Sequence, residues 1–195
     1  MDTILLAQCN NFGRKCRRED TDRLLLKTVD AFLKMNAIPG GKLEIERTKA
    51  GKPYVSGEIM VGEKLPFVSV SHTGNQWFGA ASWYPVGIDV EQVKSLDFAK
   101  LAGRFYSASE KEYCDKAGLA GFFRIWCRKE ALVKIKGSTL GKGLSGFETA
   151  PRGVPVEKIE IEGTTIYLQD YCPREGLAGC IASEKKSRLH HVEIK

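Results

Sequence analysis

Two hydrophobic periods alternate along this chain, and the alternation limits the folds open to it more than any other feature. Helical spacing appears over Asp20–Leu33, where Leu24, Leu25, Val29 and Phe32 recur at intervals of three and four, and again over Leu96–Phe105, Ala108–Gly118 and Gly121–Ile135. A Pro and two Gly within Ala37–Gly41 end the first of these helices. Strand-type runs occupy residues 3–9, Leu43–Arg47, Phe67–Ser71, Trp77–Trp83 and, after a Pro turn, Val86–Val90. Three more close the chain, at Ile159–Ile161, Thr164–Tyr171 and Gly179–Ser183. The expected fold class is α+β. F-G-A-A-S at 78–82 and A-G-C-I-A-S at 178–183 each end a half that holds a long helix and several strands, a faint internal echo. It suggests two similar halves, residues 1–95 and 96–195, joined near Lys94–Asp97.

A chain of 195 residues that is 43% hydrophobic can bury a full core, which excludes disorder as a global description. Its formal charge of +6 favours anionic partners: nucleic acid, phosphorylated small molecules or an acidic protein. The cysteines at 9, 16, 114, 127, 172 and 180 form no Cys-x-x-Cys pair, so neither a zinc site nor a disulfide scaffold is expected. The opening M-D-T-I-L-L-A-Q-C-N lacks the basic region of a secretory signal, and no apolar run approaches the roughly 20 residues that span a bilayer. The expectation is a reduced, cytoplasmic protein with no membrane partner.

Three stretches carry candidate chemistry. In G-I-D-V-E at 87–91, strand alternation sends Asp89 and Glu91 to one face and Ile88 and Val90 to the other. Two carboxylates on one face repel, and unless that face is solvated it calls for a hard cation such as Mg²⁺ or Mn²⁺. In R-I-W-C-R-K-E-A-L-V-K-I-K-G at 124–137, Glu130 and Lys134 stand at i, i+4 on one helix face. Taken alone that is a surface ion pair contributing a few tenths of a kcal/mol; taken with the strand, Glu130 offers a third carboxylate. In V-S-V-S-H-T-G at 68–74, hydroxyls, an imidazole and turn amides are available to an anion. Gly51-Lys52-Pro53 makes a rigid bend carrying a cation, and R-K-C-R-R at 14–18, followed by Arg23, is either a solvated face or an anion contact.

In their order along the chain, G-K-P, S-V-S-H-T-G, G-I-D-V-E, F-Y-S-A-S-E and W-C-R-K-E-A-x-x-K resemble the 4′-phosphopantetheinyl transferases, of the surfactin-synthetase-activating type. The resemblance covers about residues 14 to 144. It implies two α+β halves related by a pseudo-twofold with the active site between them. It also implies transfer of the phosphopantetheine arm of coenzyme A to a serine of an acyl or peptidyl carrier protein, with release of adenosine 3′,5′-bisphosphate. Carried over by position, Asp89, Glu91 and Glu130 become the Mg²⁺ ligands, with Mn²⁺ as an alternative. Lys134 meets the phosphate being transferred, and Glu130 is either ligand, base or both. Ser71, His72 and Lys52 fall at coenzyme A contacts, and Lys15, Arg18 and Arg23 near its 3′-phosphate. Trp126 is read as packing between the halves rather than touching substrate. The implied protein is a monomer that binds no nucleic acid. Two other classes stay open, a non-catalytic coenzyme A-binding protein and a basic nucleic-acid-binding protein. The carboxylate trio argues against the first, and the absence of aromatics interleaved with the cations against the second.

Overall fold

Strands and helices alternate in the observed chain much as the two periods require, in a computed structural model that describes residues 2–10, 12–13, 17–59, 64–137 and 144–195. The order is β1 (Asp2–Cys9), α1 (Arg18–Met35), β2 (Lys42–Arg47), β3 (Pro53–Glu58), β4 (Phe67–Thr73), β5 (Gln76–Ser82), β6 (Val86–Gln92), α2 (Phe98–Phe105), α3 (Ala108–Lys136), β7 (Lys158–Ile161), β8 (Thr164–Tyr171), β9 (Leu177–Ser183) and β10 (Ser187–Glu193). The fold is α+β, as expected. Its strands form sheets ordered β10-β1-β5-β4 and β6-β9-β8-β7, plus a β2-β3 ribbon.

The chain divides into two units, Met1–Val86 with Lys185–Lys195, and Gly87–Glu184. This division differs from a boundary near residue 95, for a reason visible in the pairing. Strand β6 lies beside β9, so the G-I-D-V-E motif belongs to the second unit, while β10 runs parallel to β1 with Asp2 opposite Ser187 and returns to the first. In the first unit, α1 lays Leu24, Leu25, Val29, Phe32 and Leu33 against Leu5, Val68, Trp77 and Ala81 of the sheet. Gly79 is required there, because a Cβ would come within 2.3 Å of the Trp77 ring and 3.1 Å of Thr28 Oγ1. In the second unit, α3 packs Cys127, Ala131, Leu132 and Ile135 onto Ile166 and Leu168 of β8 and Cys180 and Ala182 of β9. The two small-residue runs thus hold equivalent positions: each lies in an interior strand beneath the long helix of its unit.

The two helices read at Ala108–Gly118 and Gly121–Ile135 are one helical span with a break at Gly118, whose φ of 62° and ψ of −149° suit only glycine. Ser107 caps it: its hydroxyl accepts from the Glu110 N–H at 3.2 Å, and the Glu110 carboxylate accepts from the Ser107 N–H at 3.0 Å. Strands β3 and β10 were not expected. β3 opens on Pro53 and contains Gly57, both poor strand signals, and it pairs only with β2. β10 mixes exposed and half-buried positions and holds its place through β1.

Candidate functional site

Along α3, Arg128, Lys129 and Glu130 follow one another at 3%, 1% and 7% exposure, which removes the reading of Glu130 as half of a surface ion pair. Consecutive buried charges demand partners. Arg128 has one: its guanidinium donates to both carboxylate oxygens of Asp170, at 2.7 and 2.8 Å. Lys129 has one too, donating to Glu110 at 2.9 Å and to the carbonyls of Leu144 and Phe147. Glu110 is itself held by the Thr149 N–H at 2.7 Å. These two cations are structural clasps.

Glu130 is different. Among the described residues its carboxylate makes no hydrogen bond or ion pair. Burial pushes its carboxyl up to about 7; Asp89 and Glu91 push the same way, and Lys134 opposes them. Two carboxylates of one strand therefore act electrostatically on a third on the facing helix. Lys134 reaches across to that strand instead of back along its own helix: its Nζ donates to Asp89 Oδ1 at 2.7 Å and to the Ile88 carbonyl at 2.9 Å.

The approach of β6 to α3 depends on Gly87, a residue with no assigned role in the motif when the sequence is read. A Cβ there would stand 2.1 Å from the Ala131 carbonyl oxygen and 2.8 Å from the Ile135 nitrogen. The one signal available was the glycine itself, at the start of an otherwise β-branched strand. Trp126 packs in an aromatic cluster of the same unit, edge-on to Phe105 at 6.2 Å and 5.8 Å from Phe122.

The donor set of Asp89, Glu91 and Glu130 is hard oxygen, which suits Mg²⁺ or Mn²⁺. Asp89 and Glu91 both raise the Glu130 carboxyl and Lys134 lowers it, so added positive charge there would favour the ionised form. Among the described residues no three His, Cys, Asp or Glu side chains are grouped closely enough to hold a metal ion by themselves.

The first unit carries a separate feature. A polar cleft of about 250 Å³ is lined by Phe12, Gly13, Arg17, Arg18, Thr21, His72 and Gly74. Two guanidiniums, an imidazole and the first turn of α1 converge there, an arrangement suited to a phosphate. Arg17 was not singled out from the sequence, because its place at the start of the helix shows only once the Arg17 N–H is seen bonded to Asp20 at 3.0 Å. Of the expected anion contacts among the described residues, Arg18 and His72 meet in this cleft and Arg23, Lys52 and Ser71 do not line it. Arg23 faces Asp20 at 3.4 Å and lines a neighbouring pocket of about 390 Å³ with Cys9, Leu24 and Ile194. Ser71 is buried while His72 is exposed, because neighbours on a strand point to opposite faces. Lys52 sits in the β2–β3 turn, which is fastened to α1 through Arg47: that side chain bonds Asp22 and the Gly51 carbonyl. Lys15 lies outside the described residues, as does the 138–143 stretch that follows α3.

Among the described residues Cys9, Cys114, Cys127, Cys172 and Cys180 are free thiols, and no described helix is long and apolar enough to cross a membrane.

Residues 85–181 match the model of the 4′-phosphopantetheinyl transferase superfamily. The chain is 31% identical to the 4′-phosphopantetheinyl transferase psf-1 of Bacillus pumilus over 170 residues, covering 82% of this chain and 69% of that one. It is 31% identical to the L-aminoadipate-semialdehyde dehydrogenase-phosphopantetheinyl transferase of Xenopus laevis, over 82% of this chain and 56% of that protein. With the 4′-phosphopantetheinyl transferase Sfp of Bacillus subtilis the identity is 27%, over 68% of this chain and 62% of the relative. The chain belongs to the 4′-phosphopantetheinyl transferase superfamily, a family of transferases, among its Sfp-type members. It spans less than two thirds of the length of the Xenopus and Bacillus subtilis relatives.

Proposed function

We propose that the protein transfers the 4′-phosphopantetheine arm of coenzyme A to a serine of an apo-carrier protein in an Mg²⁺-dependent reaction, releasing adenosine 3′,5′-bisphosphate. The observation that carries this reading is Glu130, the one uncompensated charge of three buried in sequence, set against the two carboxylates of G-I-D-V-E. Structural ion pairs explain its neighbours; a metal-dependent phosphotransfer site explains it.

Asp89, Glu91 and Glu130 are the residues to hold the cation, which when bound supplies charge neutralisation at pyrophosphate oxygens. Lys134 offsets the charge of the phosphoryl group in transit. The serine hydroxyl forms a new bond to the phosphorus that carries the pantetheine, and the bond from that phosphorus to the bridging oxygen breaks, leaving adenosine 3′,5′-bisphosphate. The serine proton passes to a base, for which Glu130 is the candidate as ligand, base or both. Arg17, Arg18 and His72 bind a phosphate of coenzyme A in the cleft of the first unit. Lys15, Arg23, Lys52 and Ser71 add to this reading only as sequence matches. The working species is a cytoplasmic monomer that needs neither nucleic acid nor membrane.

Mass spectrometry of an apo-carrier protein after incubation with coenzyme A, Mg²⁺ and the protein tests the proposal. A carrier serine gaining one phosphopantetheine group, only when all components are present, is the expected result. An unmodified carrier across acyl and peptidyl types would refute it.

A further inference from the structure

The contacts of Lys134 raise a question that its proposed role toward phosphate does not answer. Its ammonium is engaged by two oxygens of one strand, Asp89 Oδ1 at 2.7 Å and the Ile88 carbonyl at 2.9 Å, with the lysine 27% exposed and Asp89 5%. It is also the one charge that counters the crowding of Glu130 by Asp89 and Glu91. A cation at contact distance from one carboxylate, and moderating a second, occupies electrostatically the place that a divalent cation would take.

We propose that Lys134 is the resting counter-ion of the carboxylate site and yields Asp89 when a divalent cation arrives. The inference rests on the assignment of Asp89, Glu91 and Glu130 as metal ligands. Two consequences follow from charge alone. The lysine competes with the metal, so metal-free protein is stable with its acids partly neutralised but binds the metal less tightly than the bare trio would. The same displacement frees an ammonium beside the bound cation, so metal loading and the arming of Lys134 toward an anionic substrate are one event. A lysine with only a structural role would show neither.

The contrast with Lys129 sharpens the point. Lys129 lies on the same helix at 1% exposure, clasped by Glu110 at 0% and by the backbone carbonyls of Leu144 and Phe147. It should ignore metal altogether.

The test is titration of Mn²⁺ into metal-free protein without coenzyme A, following free Mn²⁺ by electron paramagnetic resonance at fixed ionic strength. Lys134→Gln should bind Mn²⁺ about tenfold tighter than the parent, the effect of removing a like charge within contact range. Lys134→Arg, which keeps the charge, should stay near the parent, and Asp89→Asn should bind more weakly than either. In the parent itself, Mg²⁺ should speed covalent modification of Lys134 by an amine-directed reagent, read by peptide mass spectrometry, and leave Lys129 protected. Equal or weaker Mn²⁺ binding by Lys134→Gln, with a parent that binds the metal through Asp89, overturns the counter-ion alone. A parent whose Mn²⁺ binding is indifferent to Asp89→Asn overturns it together with the metal assignment. If Lys134→Gln does not fold, the modification rates decide, and no acceleration by Mg²⁺ counts against the proposal.

Discussion

The cations of the first unit and the acids of the second solve opposite problems. Arg18 and Arg23 have side chains 66% and 69% exposed, held by loose pairs to Asp22 at 3.9 Å and Asp20 at 3.4 Å. Asp89 is 5% exposed and Glu130 7%, on a strand and a helix whose approach is fixed by backbone contact at Gly87. Exposed charges in water interact weakly, are screened by salt and can be rearranged at little cost. Buried charges of one sign interact strongly and tolerate little movement. The first arrangement suits recognition of a soluble anion, the second suits chemistry. Substitutions in the two units should therefore differ in size and in kind.

The largest effect is expected at Asp89. Removing this proposed ligand with Asp89→Ala should lower the transfer rate roughly 10³-fold while circular dichroism stays unchanged, since a cation held there would contribute several kcal/mol at the reacting phosphate. A near-normal rate at low Mg²⁺ would break the contrast at its stronger end.

Next is the pH dependence of the metal-free protein. The folded-state value of Glu130 is raised above the unfolded one, so the native state favours the protonated form. Its contribution is whole below about 4.5 and is lost as pH rises through about 7. Relative to Glu130→Gln, the parent should lose up to about 3 kcal/mol of stability between those values, as urea unfolding from pH 4 to 8 would measure. Parallel curves for the two proteins would mean that Glu130 is not buried among like charges.

Gly87→Ala should destabilise the protein by about 1–3 kcal/mol and reduce metal binding together with it, because the added Cβ forces β6 away from α3. Unchanged thermal stability and unchanged Mn²⁺ affinity would show that the approach is not set by this residue.

The smallest effects belong to the first unit, and they should be selective. Arg18→Ala should raise KM for coenzyme A roughly 10- to 100-fold, the loss of one charged hydrogen bond, and barely change KM for dephospho-coenzyme A. Arg23→Ala, in the neighbouring pocket and facing Asp20, should leave both within about twofold. If Arg23 rather than Arg18 shows the selectivity, the cleft beside His72 is not the phosphate site.

How far the sequence was legible follows the same division. Periods of 2.0 and 3.6 placed Asp89 with Glu91 on one strand face and Glu130 with Lys134 on one helix face, and the long helix and β6 keep those periods; their roles came from the family resemblance. What the periods could not give was that Lys134 crosses to Asp89, since i, i+4 spacing names a neighbour on the helix and says nothing of a facing strand. The clasp of Lys129 and Glu110 was illegible for the same reason, as its members are nineteen positions apart (129 minus 110) and meet only in three dimensions. The basic run before α1 has no period at all. Charges at successive positions splay in different directions, so which of Arg17, Arg18 and Arg23 would share a cleft depended on where the helix began.

The parallel pairing of β1 with β10 has a consequence for how the chain is made. Residues 87–184 are contiguous and can collapse around α3 as soon as they leave the ribosome. The first unit cannot finish then, because Asp2 must wait for Ser187 and Leu5 for His190. Until those residues emerge, the outer edge of β1 presents unpaired backbone amides and carbonyls, a template for pairing with the wrong chain. Late pairing of this kind slows a sheet's completion, and its last partner carries Arg188 and Glu193, charges that discourage promiscuous pairing on the far side.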